Sequence, residues 1–208
     1  MRMIWKDGIL YTTGKSIKGD RVFGKLRVWP PERSKLAALY YLGVVPDINK
    51  TNDFLYLGAA SGTTVSFLAD YTGIIYAVEI APEPLFGLLE VVERKKNVIP
   101  IPADASKPEI YSSIVSNVDF LYIDIAQRNQ AEIAVRNLFF LKSGGYLIMM
   151  LKTRSVSAHE DSEKICKETV DIFLKAGMCD FSVTWLEKYH RGHVAIVCRK
   201  RFIEKSDE

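Results

Sequence analysis

The sequence predicts an α/β protein with a mostly parallel seven-stranded sheet, an antiparallel last strand and a small N-terminal β module. From Phe54 onward, short β-rich runs alternate with helical runs, which is typical of a parallel sheet covered by helices on both faces. The last two runs, "FSVTWLEKY" and "HVAIVCRK", are joined only by "HRG", so they must pair antiparallel. Short strands punctuated by glycines come first and predict a module at 1–28, followed by the main domain at 29–208.

Each element of the main domain has its own signal. The segment "VWPPERSKLAALYYLG" combines a proline-marked start with an apolar helical pattern that Gly43 closes. Apolar, β-rich runs predict the parallel strands, which are "FLYLG", "IIYAVEI", "VIPIPAD", "VDFLYIDI" and "GYLIMMLK". Helical patterns predict the helices that follow them, at about 62–70, 82–95, 106–115, 128–141 and 159–176.

The composition favours a folded protein of a reducing compartment. Of the 208 residues, 48% are hydrophobic and 25% are charged, which is enough for one sizeable core. The three cysteines show no C-x-x-C spacing, and no apolar run approaches the roughly 20 residues that a bilayer needs. The N-terminus also lacks the apolar region of a signal peptide. We therefore expect a soluble, cytoplasmic protein with no membrane partner, and the net charge of +3 permits nucleic acid as a partner without requiring it.

A glycine or a polar residue follows each of the five predicted parallel strands. These residues are, in order along the chain, Gly58, Glu79, Asp104, Asp124 and Lys152. Because the carboxyl ends of parallel strands meet at one edge of the sheet, ligands bind there, near the point where the strand order reverses. The sequence therefore predicts a binding site at this edge.

The turn after the first of these strands, "GAASGT", is rich in small residues. Gly58 and Gly62 would let a ligand approach the backbone, and the next helix would offer its free N–H groups. A tight strand-to-helix packing turn explains the same glycines. Glu79 follows Gly58 by 21 residues, the spacing of a carboxylate that accepts from ribose hydroxyls, although a helix-capping acid is the alternative.

Asp104 and the spacing of the glycines narrow the class of ligand. Asp104 could accept from the exocyclic amine of a purine, or it could cap the short helix that follows. A dinucleotide fold expects G-x-G-x-x-G, and here the central glycine is missing. A phosphate-poor nucleoside cofactor is favoured, with S-adenosylmethionine as the candidate. A nicotinamide-dependent dehydrogenase remains the alternative.

Several sequence blocks resemble those of the fibrillarin family. They are "RSKLAA", "YLGAASGTTVS", "YAVE", "NVIPIPADASKPE", "DIAQRNQAEI" and "LKTRS". The resemblance runs from about Trp29 to Val197, and without a glycine- and arginine-rich tail the chain looks like an archaeal member. It implies a Rossmann-like S-adenosylmethionine-dependent methyltransferase fold and guide-RNA-directed ribose 2′-O-methylation of ribosomal and transfer RNA, as the catalytic subunit of a box C/D ribonucleoprotein.

The resemblance also implies partners. These are a box C/D guide RNA, the target RNA, a Nop-type coiled-coil scaffold protein and, indirectly, a kink-turn-binding ribosomal-type protein. A non-catalytic assembly subunit of the same particle is the alternative.

The family motifs imply the site residues. The catalytic set would be Lys35, Asp124, Lys152 and His193. The cofactor-binding set would be Gly58, Ala59, Ser61, Gly62, Thr63, Thr64, Glu79, Ile80, Asp104, Ala105, Asp124, Ile125, Ala126 and Gln127. His190 and His193 form an H-x-x-H pair, but further ligands with metal-site spacing are missing, so no metal is predicted.

The predicted topology places the four catalytic residues on one rim of the sheet, independently of the family resemblance. Asp124 and Lys152 end parallel strands, Lys35 begins an antiparallel helix, and His193 begins the antiparallel last strand. Only about one free lysine in two thousand is neutral at pH 7, so a lysine base needs burial or a neighbouring cation. The hypothesis is that Lys152 acts as general base or orients the ribose, while Lys35 and His193 position and tune it.

Basic residues also cluster outside this rim. They are Arg94, Lys95, Lys96, Lys107, Arg128, Arg154 and the cations of the C-terminal "CRKRFIEK". They could meet RNA phosphates, and a solvated face is the alternative.

Overall fold

The structure, a computed structural model, describes residues 3–157 and 161–202. The N-terminal module contains β1 (Met3–Lys6), β2 (Ile9–Thr12), β3 (Val22–Phe23) and β4 (Leu26–Val28). The main sheet contains β5 (Phe54–Leu57), β6 (Ile75–Glu79), β7 (Val98–Pro102), β8 (Val118–Ile123), β9 (Leu141–Lys152), β10 (Met178–Trp185) and β11 (His193–Lys200). The helices are α1 (Lys35–Tyr41), α2 (Thr63–Leu68), α3 (Pro82–Arg94), α4 (Gln130–Arg136), α5 (Thr153–Val156) and α6 (Ser162–Lys175).

The main sheet has the strand order β10-β11-β9-β8-β5-β6-β7. Strands β5 to β9 pair parallel with one another, while β11 pairs antiparallel with both β9 and β10. The mostly parallel sheet and the antiparallel last strand are thereby confirmed. The chain moves outward from β5 to β7 and then returns to β8 on the other side of β5, so the strand order reverses between β5 and β8.

Alternate residues of the strands pack into separate cores on the two faces of the sheet. In β5, Phe54 and Tyr56 belong to one core, and Leu55 and Leu57 belong to the other. All four side chains are buried, as expected for a parallel strand covered on both faces. None of the helices in the described part of the chain is long and apolar enough to cross a membrane.

Two predicted helices are shorter than expected. The segment predicted as a helix at 106–115 contains only a 3₁₀ turn at Pro108–Ile110, because the serines and β-branched residues of "IYSSIVS" favour helices poorly. The helix predicted at 128–141 ends before Asn137. The Asn137 amide donates to the carbonyl oxygen of Ile133 at 2.9 Å, and such side-chain bonds compete with the helix.

The hairpin between the last two strands is longer than predicted. Strand β10 ends at Trp185, so the connection is 186–192 rather than "HRG" alone. The carbonyl oxygen of Leu186 accepts from the N–H groups of Tyr189 and His190 at 2.8 and 2.7 Å, which turns the chain before β11. The predicted start of the last helix at residue 159 lies outside the described residues.

The N-terminal module forms a four-stranded sheet in the order β1-β2-β4-β3 and packs on α2 of the main domain. The Trp29 ring, just after β4, stacks on the Phe67 ring with 5.2 Å between centroids. The guanidinium of Arg27 lies 4.2 Å from the centroid of the same Phe67 ring. The domain boundary at residue 28 stays a prediction.

A buried ionic network also joins the module to the main domain. Arg27 donates to Asp70 at 2.6 Å and to Asp20 at 2.7 Å, and Thr12 donates to Asp70 at 2.6 Å. The Lys95 ammonium donates to the second Asp70 oxygen. Burial lowers the pKa of Lys95, while Asp70 acts in the opposite direction. One buried carboxylate therefore compensates two cations from different parts of the chain.

Candidate active site

A cavity of about 220 Å³ opens at the carboxyl ends of β5, β6, β7 and β8, where the strand order reverses. Its lining includes the predicted residues Gly58, Glu79, Ile80, Asp104, Ala105, Asp124, Ile125, Ala126 and Gln127. It also includes Ala60, Val78 and Ala103, which are not among the residues predicted from the sequence. Ala60 could have been found, because it lies in the small-residue turn between two predicted residues.

Glu79 ends β6 and lies at the side of the cavity with its carboxylate held by backbone groups. Oε1 accepts from the N–H of Ala81 at 2.8 Å, and Oε2 accepts from the N–H of Ala60 at 2.8 Å. Ala60 has a positive φ of 47°, which turns its N–H toward the carboxylate. Because each carboxylate oxygen can accept more than one hydrogen bond, both can also accept from a ligand.

Asp104 follows β7 and is held by the turn after it. Its Oδ1 accepts from the Ser106 N–H at 2.9 Å, and this bond holds the pKa of Asp104 below its usual range. The carboxylate is therefore ionised at neutral pH. One Asp104 oxygen therefore bonds to the following turn, as the capping alternative expects. The same side chain also lines the cavity.

Five predicted cofactor residues do not line this cavity. Ala59 is buried, and Ser61 and Thr63 line a separate cavity of about 200 Å³ beside α3. The Thr64 hydroxyl lies 3.0 Å from the Ser34 hydroxyl. Gly62 faces α3, so the strand-to-helix packing alternative accounts for this glycine.

Gly58 and Gly62 are both required by contacts within the protein. Gly58 has a φ of 81°, and a Cβ built on it would lie 2.6 Å from the Asp124 carbonyl oxygen. Gly62 has a φ of 78°, and its Cβ would lie 2.9 Å from a Val91 methyl and 3.0 Å from a Leu88 methyl. Both glycines are therefore needed for packing, and the close approach of a ligand stays a prediction at Gly58, which also lines the cavity.

We expect the substitution Gly62→Ala to lower the free energy of unfolding by about 2–4 kcal/mol, because it combines a left-handed backbone with overpacking. Gly24→Ala is the matched control, since Gly24 has a φ of 61° and nothing within 4 Å of a built Cβ. The control should lose only the backbone contribution, about 1–2 kcal/mol. Urea unfolding of both variants measures the difference, and equal losses would contradict the packing explanation.

Lys35 and Asp124, both predicted to be catalytic, form an ion pair at the edge of the cavity. The Lys35 Nζ lies 2.6 Å from Oδ1 and 2.9 Å from Oδ2, and both side chains are about one-fifth exposed. Ser34 caps α1, because its Oγ accepts from the Ala37 N–H at 3.3 Å. The 3.0 Å contact between Ser34 and Thr64 ties this cap to α2. Elements α1, α2 and β8 together place the pair.

Lys152 and His193, the other two predicted catalytic residues, are direct cross-strand partners at the ends of β9 and β11. Their side chains therefore lie on the same face of the sheet. The Lys152 side chain is exposed and makes no hydrogen bond or ion pair with the described residues. Strands β11, β9 and β8 are adjacent, so His193, Lys152 and Asp124 follow one another along this edge.

His193 is held in one tautomer. Its Nδ1 lies 2.9 Å from the Arg191 carbonyl oxygen, which only accepts, so Nδ1 carries the proton and Nε2 a lone pair in the neutral ring. Burial lowers the pKa of His193, and the charge of Lys35 lowers it further. Since the ordinary pKa of histidine is about 6.5, the ring is neutral at pH 7.

His190 also lies in this region, although its H-x-x-H spacing suggested only a metal ligand. Its Nε2 donates to the Pro31 carbonyl oxygen at 2.8 Å, which ties the 186–192 connection to the chain just before α1. The His190 ring lies 6.1 Å from the His193 ring. In the described part of the chain, no three metal-ligating side chains gather into a group that could hold a metal ion. His190 therefore supports the segment that carries Lys35.

Burial also lowers the pKa of His190, and this makes a testable contribution to stability. Because the unfolded state then binds more protons, the contribution is complete above about pH 6.5 and is lost as the pH falls. We expect His190→Gln, which keeps a donor for Pro31 but cannot titrate, to have a shallower loss of unfolding free energy between about pH 7 and 5. Urea unfolding across this range measures the slope, and an unchanged slope would contradict the assignment.

The fold and the site together define a Rossmann-like α/β protein of the methyltransferase class. The model of the Fibrillarin family matches residues 7–202. The chain belongs to the fibrillarin family, and the resemblance predicted from its motifs is confirmed.

Individual relatives agree with this assignment. The fibrillarin-like rRNA/tRNA 2′-O-methyltransferase of Methanoculleus marisnigri is 48% identical over 201 residues, which cover 96% of this chain and all of that protein. Fibrillarin in a crystal structure of a fibrillarin/Nop5p complex has a TM-score of 0.89 and 41% identity, over 96% of this chain and 97% of that one. Aeropyrum pernix fibrillarin, crystallised with natively bound S-adenosyl-L-methionine, has a TM-score of 0.82 and 33% identity, over 95% and 98%.

Proposed function

We propose that this chain is an S-adenosylmethionine-dependent RNA ribose 2′-O-methyltransferase that acts in the cytoplasm as the catalytic subunit of a box C/D ribonucleoprotein. The observation that carries the proposal is the placement of the Lys35–Asp124 ion pair and the Lys152–His193 pair on adjacent strand ends beside one cavity. The M. marisnigri relative is named as an rRNA/tRNA 2′-O-methyltransferase, which supports RNA as the substrate.

The cavity suits a nucleoside cofactor without a phosphate. Glu79 offers acceptors for ribose hydroxyls, and ionised Asp104 offers one for the exocyclic amine of adenine. Residues 124–127 would face the methionine part. The described lining contains no lysine or arginine, so nothing there neutralises a pyrophosphate. This favours S-adenosylmethionine over a dinucleotide and argues against the dehydrogenase alternative.

The residues at the rim provide for methyl transfer to a ribose hydroxyl. Bound S-adenosylmethionine would supply an electrophilic methyl group to the ribose oxygen, with the thioether as the leaving group. Lys152, whose side chain bonds to none of the residues that the structure describes, can donate a hydrogen bond to the ribose and orient it. Asp124 holds Lys35 in place by binding it through both oxygens. A base must accept the proton of the ribose hydroxyl.

Two residues compete for the role of base. In the sequence-based hypothesis Lys152 acts as the base or orients the ribose, and its exposed ammonium, which has three donors and no acceptor, suits the orienting role. His193 is neutral at pH 7 and has a lone pair on Nε2. We therefore assign to His193 the role of accepting the hydroxyl proton, and to Lys152 the role of orienting the ribose.

The assignment predicts that kcat/KM of the assembled enzyme falls once the pH drops below the lowered pKa of His193, which lies under the ordinary histidine value of about 6.5. We expect His193→Gln to lose this dependence together with most of the rate, about 10²–10⁴-fold. A pH–rate profile of single turnovers measures both effects. A variant that keeps the same dependence would overturn the assignment of the base to His193.

The proposed partners follow from the particle in which the enzyme would act. The relative with a TM-score of 0.89 is in complex with Nop5p, which supports a Nop-type scaffold protein as a partner of this chain. In the proposal, a box C/D guide RNA selects the target nucleotide by base pairing. A kink-turn-binding protein contacts this chain only through the assembled particle.

Reconstitution with guide RNA and both protein partners tests the function. A labelled methyl donor should label the target RNA, and a target with a 2′-deoxy nucleotide at the methylated position should stay unlabelled. A particle that assembles without labelling either RNA would favour the non-catalytic assembly subunit. Stabilisation of the chain by NAD but not by S-adenosylmethionine in a thermal-shift assay would favour the dehydrogenase.

A further inference from the structure

A second and larger cavity, of about 560 Å³, lies at the opposite edge of the sheet from the candidate active site. Thr72 and Asn97 line it just before β6 and β7 begin, which places it at the amino ends of the parallel strands. The rim carries four exposed cations, Lys15, Lys50, Arg94 and Lys96. We call this feature the basic cavity. The five residues of β6 alone separate it from the active-site edge by about 17 Å.

The polar side chains on the floor of the basic cavity are already bonded within the protein. Asp70 lies there, but both of its oxygens are already used by Lys95, Arg27 and Thr12. The Asn97 side-chain amide donates to three carbonyl oxygens of the preceding turn, at 2.8 to 3.3 Å. The buried donors are thus occupied, and they do not converge on a small anion.

The rim, in contrast, carries uncompensated positive charge. Across residues 3–157 and 161–202, none of the four rim cations has a carboxylate within ion-pair distance. Arg94 donates only to the carbonyl oxygen of Ser16, at 3.2 Å. The four side chains come from three separate segments of the chain around one opening. Such a spread of cations suits an extended polyanion better than a single phosphate ion.

We infer that the basic cavity binds the sugar–phosphate backbone of the RNA at a distance from the methylated nucleotide. This inference rests on the proposed function, because RNA is the polyanion that the enzyme must hold. Contacts to phosphates alone carry no sequence information, which fits an enzyme whose target is chosen by a guide. The contacts hold the duplex against the protein while the active-site edge receives the ribose.

Neutralising three rim cations tests the inference. We expect the triple variant Lys50→Gln/Arg94→Gln/Lys96→Gln to bind a guide–target RNA duplex about 100-fold more weakly at 100 mM KCl. The slope of log K against log [KCl] should become shallower by about 2, since each lost phosphate contact removes roughly 0.7–0.9. Fluorescence anisotropy over a KCl series, with the full chain and in the assembled particle, measures both quantities.

The matched control removes the same charge elsewhere. Lys25→Gln/Lys167→Gln/Lys175→Gln changes three exposed lysines away from the cavity and should keep the wild-type affinity and slope. An equal loss in both variants would reduce the effect to net charge and overturn the inference. Competition by inorganic phosphate at constant ionic strength would assign a small-anion site instead. Lost binding of the Nop-type scaffold with unchanged RNA binding would assign a protein surface.

The two proposals fail separately. If wild type methylates RNA but the triple variant binds RNA with an unchanged slope, the proposed function stands and this inference falls. If wild type binds RNA through the basic cavity but never labels it, the proposed methyl transfer falls. S-adenosylmethionine affinity should equal that of wild type in both triple variants, because neither changes the active-site cavity.

Discussion

Replacing Lys152 with methionine is expected to lower the single-turnover rate of methyl transfer by about 10²–10⁴-fold in the reconstituted particle. Methionine keeps a long stem but cannot donate a hydrogen bond, so the ribose loses its orienting contact. Because Lys152 does not line the cofactor cavity, S-adenosylmethionine affinity should change less than about threefold. Labelled methyl transfer at saturating cofactor, together with calorimetric titration of the cofactor, separates the two effects.

The control for Lys152 is Lys167→Met, which alters an exposed lysine on α6 and should leave the rate unchanged. Unfolding by urea should give the same midpoint for wild type and for the Lys152 variant, because the side chain has no partner within the described structure. A Lys152→Met enzyme within about threefold of wild type would remove this residue from the proposed site.

The placement of the rim residues could be predicted because it follows from topology alone. Asp124 and Lys152 end parallel strands, and such ends always share one edge. His193 begins a strand that reverses at this edge, so its position follows from the antiparallel pairing. Since β9 ends and β11 begins at this edge, the two strands pair there, and His193 lies directly opposite Lys152.

Other features depend on contacts between segments that are far apart in sequence, and the sequence pattern carries no signal for them. Gly62 looks like a ligand-binding glycine, but its neighbours are Leu88 and Val91 of α3. His190 meets Pro31 across 159 residues of chain. Gly14 is required because a Cβ there would lie 1.6 Å from an Asp70 oxygen, a contact between the module and the main domain.

Asp70→Ala is expected to lower the free energy of unfolding by about 3–5 kcal/mol, because it removes the carboxylate that two buried cations share. Arg27 is fully buried and Lys95 is 5% exposed, so water cannot replace the lost partner. Arg27 would keep Asp20, at 2.7 Å, whereas Lys95 would keep only the carbonyl oxygen of Lys15, at 2.6 Å. Urea unfolding at pH 7 measures the loss as a shift in the midpoint.

Lys142→Met is the control, since it removes an ion pair with Asp119 in which the lysine side chain is 44% exposed. That loss should be only about 0–1 kcal/mol, because exposed pairs contribute little. Equal losses at the two sites would mean that Asp70 does not join the parts of the chain.

Hydrogen exchange adds a second readout. Since Asp70 links Thr12 and Arg27 of the module to Lys95, its loss should expose the amides of β2 and β4 before those of β5. Simultaneous exposure of all three strands would mean that the module and the main domain unfold as one unit, and the predicted division at residue 28 would then have no meaning for stability.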